Sequence, residues 1–360
     1  MNFDVSKSWA ILLPPDQTHI KKAAEDLARY IGLLTAMDGD QAKLPPLIAE
    51  FDSTPEMSVP IIILNHEDRG SKRNGFSWRA TPERVEIMGE SGRGLCNGIY
   101  SFLAALGLSW PAPGQEKLPS VPNGESKEFP LASGRAYQPS HNKDKSTAAS
   151  AWRRFVVAEK KTVEELLNKS ETLAAWLARQ CYDAIVFPLA TFVSESCGQK
   201  LKQLKEFTEE FGINLEAGGR DLSLLLPRRH FILHRDFFRM EEGKRKKDHH
   251  FCPTNPGAIR IVGQEAERLF RAADVSAVYH LWPDKGAEAA WCSCPSCRAF
   301  TPSEQNRIAV NIAADVLNTL NNDACITYFE KPGDEGKIPL RKNLFRMEVL
   351  PDEYQQAPPV

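Results

Sequence analysis

The chain has 360 residues, 42% of them hydrophobic and 26% charged, with 25 Pro and 22 Gly. These proportions exclude collagen, coiled coil and wholesale disorder, and the length suits about two globular domains. Forty-five Lys and Arg against 47 Asp and Glu leave a net charge of −2, so no broad cationic face is expected for nucleic acid or an anionic membrane.

In the N-terminal third, strands and helices alternate. Residues 10–13 form a short apolar strand, and 18–36 set Ile20, Ala23, Ala24, Leu27, Tyr30, Ile31 and Leu34 on one helical face. Residues 60–64 read as a buried strand, and 75–79 with 85–89 as a hairpin around Thr81-Pro82-Glu83-Arg84. A helix through Leu95, Ile99, Phe102, Leu103 and Leu106 stops at Gly107. A Pro/Gly-rich stretch follows. The division is therefore 1–115 for a small α/β domain, 116–130 for a linker and 131–360 for a second domain.

Strands in the second domain are expected at 131–137, 184–187, 213–217, 275–282 and 325–329, with 344–349 as a sixth. Between them lie helices begun by a capping box at Thr162 and Glu165, at 200–211, at 256–273 behind the cap Asn255, and at 303–320. The alternation implies parallel pairing in a (β/α) TIM-type barrel. Eight strands close such a barrel, and five or six are legible, so the barrel reads as C-terminally incomplete. Its open edge is a surface for self-association.

No apolar run approaches the ~20 residues that span a bilayer, and residues 1–7 lack the features of a secretion signal. The sequence as written is expected to stay in the cytoplasm, where its eight cysteines are thiols or metal ligands. Trp291-Cys292-Ser293-Cys294-Pro295-Ser296-Cys297 can bring three sulfurs to one centre, and Cys252 supplies a fourth, the number a structural zinc takes. A disulfide between two of them, or four thiols under a loop, are the alternatives. No other cofactor is required. Walker, dinucleotide, nucleophile-elbow and H-E-x-x-H motifs are absent.

In a parallel barrel the C-terminal ends of the strands build the active face. That argument selects Arg135, Glu216, His280, Trp282 and Asp284, and the aromatic loop holding His234 suits a sugar ring.

Two stretches carry a resemblance. Gly92-Arg93-Gly94, Gly98-Ile99-Tyr100-Ser101-Phe102-Leu103 and Gly107-Leu108-Ser109-Trp110-Pro111 look like the small N-terminal domain of α-glucuronidases and β-hexosaminidases. His234-Arg235-Asp236-Phe237-Phe238, Phe251-Cys252-Pro253-Thr254-Asn255-Pro256 and the cysteine motif resemble a bacterial glycosidase-like family of unassigned activity, in which such a domain precedes a TIM-type barrel. The resemblance implies carbohydrate as the partner and O-glycosyl hydrolysis as the activity. It also implies further βα units and, in relatives, a secretion signal. On this reading Asp284 and Glu216 are the catalytic pair, and Arg135, His234, Asn255, His280 and Trp282 hold the substrate. A non-catalytic carbohydrate-binding protein, or an inactive fragment of such an enzyme, is the alternative.

Overall fold

The computed structural model describes residues 2–17, 19–36, 44–48, 59–66, 74–119, 128–131, 135–138, 153–158, 160–274, 276–331, 333, 336–347 and 353–354. Residues 120–127 of the expected linker lie outside these.

The N-terminal part runs β1 (Asn2–Asp4), β2 (Ala10–Leu12), α1 (Lys21–Thr35), β3 (Leu47–Ile48), β4 (Ile61–His66), β5 (Phe76–Ala80), β6 (Arg84–Gly89), α2 (Gly92–Ala105), β7 (Glu128–Pro130) and β8 (Arg135–Gln138). Six strands form a sheet in the order β3-β2-β4-β6-β5-β8, while β1 and β7 pair separately. The sheet is parallel through β6 and antiparallel at β5 and β8. Helix α2 starts at Ser91, whose side chain accepts from the Gly94 amide, and Gly98 lets it lie directly on Ile87.

The strand expected at 131–137 is thus not the first of the barrel. Its described part, β8, sets Arg135 opposite Arg79 on β5. The hairpin β5–β6 leaves one edge of β5 with unpaired backbone groups, and β8 satisfies them.

The second sheet begins instead with β9 (Arg154–Val157). It continues through α3 (Lys160–Leu167), α4 (Ser170–Arg179), β10 (Ala184–Phe187), α5 (Leu189–Phe192), α6 (Glu195–Glu209), β11 (Asn214–Gly219), a small hairpin β12 (Met240–Glu241) and β13 (Lys244–Arg245), α7 (Pro256–Ala272), β14 (Val278–Leu281), α8 (Pro302–Leu320), β15 (Cys325–Phe329), β16 (Leu344–Met347) and β17 (Glu353–Tyr354). Helix α3 begins before Thr162, so the expected capping box does not form there. The one that forms is Thr301 with Glu304, at the head of α8.

Seven parallel strands lie in the order β16-β15-β14-β11-β10-β9-β17. A flat sheet would hold β9 and β16 about 24 Å apart at ~4.8 Å per strand. Yet Val156 of β9 and Met347 of β16 share one buried cluster with Val186 and Trp282. The ends agree: five residues, 348–352, separate β16 from β17, a reach of no more than about 22 Å across edges that a flat sheet would hold about 29 Å apart. The sheet is therefore curled as in a TIM-type barrel. Among the described residues no pairing joins β16 to β17.

Alternation along the strands gives the barrel two faces. Phe155, Ile185, Leu215, Tyr279 and Ile326 point out to the helices. The outer layer on one side, α3, α4 and α6, shares its core with the N-terminal part. Polar contacts reinforce that seam: Arg179 pairs with Asp26 at 3.0 Å, and Arg93 donates to the Tyr182 carbonyl at 2.6 Å.

Candidate functional site

The inner face of the barrel carries a buried polar floor. Arg154 Nε donates to Glu216 Oε2 at 2.6 Å, and His280 Nε2 lies 2.8 Å from the same oxygen. His280 Nδ1 meets Thr327 Oγ1 at 2.6 Å, and the Trp282 indole donates to that hydroxyl at 3.0 Å. One proton arrangement satisfies every member: Trp282 N–H to Thr327, Thr327 O–H to His280 Nδ1, and His280 Nε2–H to Glu216, which leaves the imidazole neutral. Burial holds the His280 ring below its usual range. Burial alone would raise the Glu216 carboxyl, but Arg154 and the His280 hydrogen bond outweigh it and hold it low. The side chains of Glu216 and His280 are 1% and 0% exposed.

Above the floor, Trp282 closes the barrel interior among Val156, Val186 and Met347. Gly218 sits beside it at φ +118°; a Cβ there would lie 2.0 Å from the His280 carbonyl, so only glycine allows β11 and β14 this approach. Beyond their ends the chain reaches Asp284. One of its oxygens faces His249 Nδ1 at 3.2 Å, and the other accepts from the Ser223 amide at 3.4 Å. Its side chain is 19% exposed, and that of His249 37%. Arg228 braces the loop of His249 by donating to the carbonyls of His249 and Ser223, each at 2.6 Å.

The third feature is at the rim. Cys252, Cys292, Cys294 and Cys297 are buried, with all four sulfurs within 4.8 Å of one another. Cys252 Sγ lies 3.7 Å from Cys294 and 3.6 Å from Cys297, and no disulfide links them. The Met240 amide donates to Cys292 Sγ at 3.3 Å, with the Arg245 guanidinium at 3.8 Å. Hydrogen bonds with Cys292 and Cys297 draw the Cys252 thiol far down, and those with Cys252 and Cys292 push Cys297 up. This buried cluster can hold a metal ion. The other cysteines are apart from it: Cys96 and Cys197 are buried, Cys181 and Cys325 half-buried.

The expected site residues are therefore dispersed. Asp284 is at the mouth. Glu216, His280 and Trp282 converge, but as a sealed floor, so the expected pairing of Glu216 with Asp284 gives way to Glu216 with Arg154. Arg135 belongs to the N-terminal sheet. His234 is exposed and stacks on Phe237, ring centroids 4.5 Å apart. Asn255 caps α7: its side-chain oxygen accepts from the Ala258 amide at 3.1 Å, and its nitrogen donates to Asp236 at 2.8 Å. Two residues that sequence reasoning passed over are partners of these carboxylates, Arg154 of Glu216 and His249 of Asp284. Arg154 was legible as the inward charge of Arg-Phe-Val-Val, had the barrel been started one strand later. His249 was legible only as a neighbour of Cys252.

No family model matches this sequence, and neither does any curated protein sequence. Solved structures do resemble the fold. A chitobiase from Flavobacterium johnsoniae superposes with a TM-score of 0.52 at 12% identity, covering 91% of this chain and 50% of its own. For an enzyme of glycoside hydrolase family 138 that targets the pectin rhamnogalacturonan II, the TM-score is 0.54 at 11% identity, over 94% of this chain and 38% of that one. A β-hexosaminidase from Streptomyces plicatus, in complex with its product GlcNAc, gives 0.51 at 11% identity, over 91% and 62%. The chain thus has the fold of these glycoside hydrolases, an N-terminal α/β part with a TIM-type barrel, and spans about half the length of the structures it matches. No described helix is long and apolar enough to cross a membrane.

Proposed function

We propose that the protein acts on a carbohydrate at the C-terminal mouth of its barrel as a glycoside hydrolase-like protein, with its acid function centred on Asp284. The observation that carries this reading is the position of Asp284: just past the end of β14, partly open to solvent, and fixed by Ser223 and His249 on the long loop after β11. The test is a panel of aryl glycosides and oligosaccharides. Turnover that Asp284→Asn lowers by at least ~100-fold supports the assignment; turnover that survives the substitution removes it. The engagement of Glu216 with Arg154 favours a second reading, non-catalytic saccharide binding. Calorimetric binding with no turnover on any substrate selects that one.

Zinc is the metal proposed for the four cysteines. With Zn–S near 2.3 Å, a tetrahedral site has sulfurs about 3.8 Å apart, close to the 3.6 and 3.7 Å observed. A disulfide needs about 2.05 Å. Self-association through the gap between β16 and β17 belongs to the same reading and is tested by the mass in solution.

A further inference from the structure

Two loops form the rim beside Asp284: the one after β11, which ends at Cys252, and the one after β14, which ends at Cys297. They are joined along their length. His249 Nδ1 meets Asp284 at 3.2 Å. The next residue, His250, is buried, donates from Nε2 to the Ala287 carbonyl (2.8 Å) and stacks on Trp291 with ring centroids 4.2 Å apart. Trp291 adjoins Cys292, whose sulfur takes the Met240 amide; Ser293 returns two hydrogen bonds to the Met240 carbonyl, each 2.8 Å. Cys252 then meets Cys294 and Cys297. The contacts run without a gap from the Asp284 carboxylate to the cysteine cluster.

We infer that His249 is the working partner of Asp284, with its Nδ1 engaged by that carboxylate and its Nε2 presented to an oxygen of the bound sugar, and that the four-cysteine centre anchors the ladder holding the two loops in register. This rests on the carbohydrate reading above. Glu216 cannot fill the role, since both of its oxygens are taken up by Arg154 and His280 beneath Trp282. The ring of His249 is more than a third exposed, and no described residue bonds its Nε2. A carboxylate on one ring nitrogen fixes the tautomer and orientation of the other, the arrangement that general acid–base transfer needs. In hydrolysis the ring enters doubly protonated, with Nδ1–H on the Asp284 carboxylate; its Nε2–H bond breaks as that proton passes to the leaving glycosidic oxygen, which keeps the electron pair of the breaking C–O bond, and the ring is left as the neutral Nδ1–H tautomer. Water adds at the carbon, and its surplus proton returns to Nε2. Asp284 then acts through His249, and His250 and Trp291 are positioning residues.

Turnover, or saccharide affinity where there is binding alone, is compared for wild type, Asp284→Asn, His249→Gln and the double variant, with nitrogen NMR of the His249 ring. Each single variant should lose at least ~100-fold in kcat, or most of its affinity, and the double variant should lose no more than either. Trp291→Leu should keep its metal, shift the His249 ring signals and lower kcat with KM little changed. If His249→Gln keeps half of wild-type activity while Asp284→Asn does not, His249 has no such role, though the carbohydrate reading stands. If no saccharide is bound or turned over, that reading falls, and NMR still decides the pairing: a His249 Nδ1 signal unaltered in Asp284→Asn overturns it. Metal-free protein that keeps the wild-type His249 signals overturns the anchor.

Discussion

Two buried clusters in the barrel have much in common and differ in one respect. The floor, Arg154, Glu216, His280 and Thr327, and the rim, Cys252, Cys292, Cys294 and Cys297, each bring together side chains from distant segments and remove them from water. The floor closes on itself: opposite charges meet, and Arg154 Nε, His280, Thr327 and the Trp282 indole each have a partner. In the rim four sulfurs confront one another with no covalent bond between them. A buried cluster complete in its hydrogen bonds needs nothing more from outside, whereas four buried sulfurs within 4.8 Å of one another are a set that can hold a metal ion.

The largest effect expected from this contrast is at the rim. Cys297→Ser should abolish metal retention and lower the melting temperature by roughly 10 °C or more, since a structural metal contributes directly to folding. Elemental analysis beside calorimetry reads both, and unchanged melting would show that the rim is closed without an ion. At the floor, Glu216→Gln should cost about 3–5 kcal/mol by urea unfolding, because Arg154 is left buried with an unpaired charge. It should leave the metal content at the wild-type value; a loss of metal would mean that the two clusters are one.

A gentler probe of the floor is pH. Burial depresses His280 in the fold, so the unfolded chain binds the extra proton first. The neutral ring's stabilisation is full above the unfolded value of about 6.5 and is lost as pH falls from there towards the folded value. Glu216, also depressed, acts in the same direction at lower pH. Melting should therefore weaken between pH 7.5 and 5.5, and His280→Asn should flatten that slope; equal slopes in the two proteins would refute the neutral tautomer. The smallest effect belongs to Asn255→Ala, a loss of about 1 kcal/mol from the α7 cap. Saccharide affinity unchanged in this variant assigns Asn255 to the helix alone, and a tenfold loss returns it to the substrate.

The difference between the clusters also explains how much could be read in advance. Three of the rim cysteines fall within six residues, so their convergence is a local property of the chain, and the cap at Asn255 is equally local. Most strands and both long helices, α7 and α8, announced themselves by periodicity. The floor did not. Arg154, Glu216, His280 and Thr327 lie far apart in sequence; Glu216 and His280 stand out only singly, as strand-end residues, and Arg154 and Thr327 read as ordinary polar residues in apolar runs. Only the register of β9, β11, β14 and β15 brings them together, and that register follows from where the barrel begins. Placing its first strand at 131–137 moved the inward arginine from Arg154 to Arg135 and left Glu216 free to look catalytic.

The return of the chain to its own beginning has a consequence for synthesis. Glu353 of β17 lies opposite Val156 of β9. A ribosome adding about 5–20 residues per second separates the emergence of these partners by roughly 10–40 s. Throughout that interval the outer edge of β9 has made its bonds to β10 on one side only, and an unpaired edge is a template for any strand nearby. Until β17 is made, the nascent β9 edge is therefore open to addition of a wrong strand.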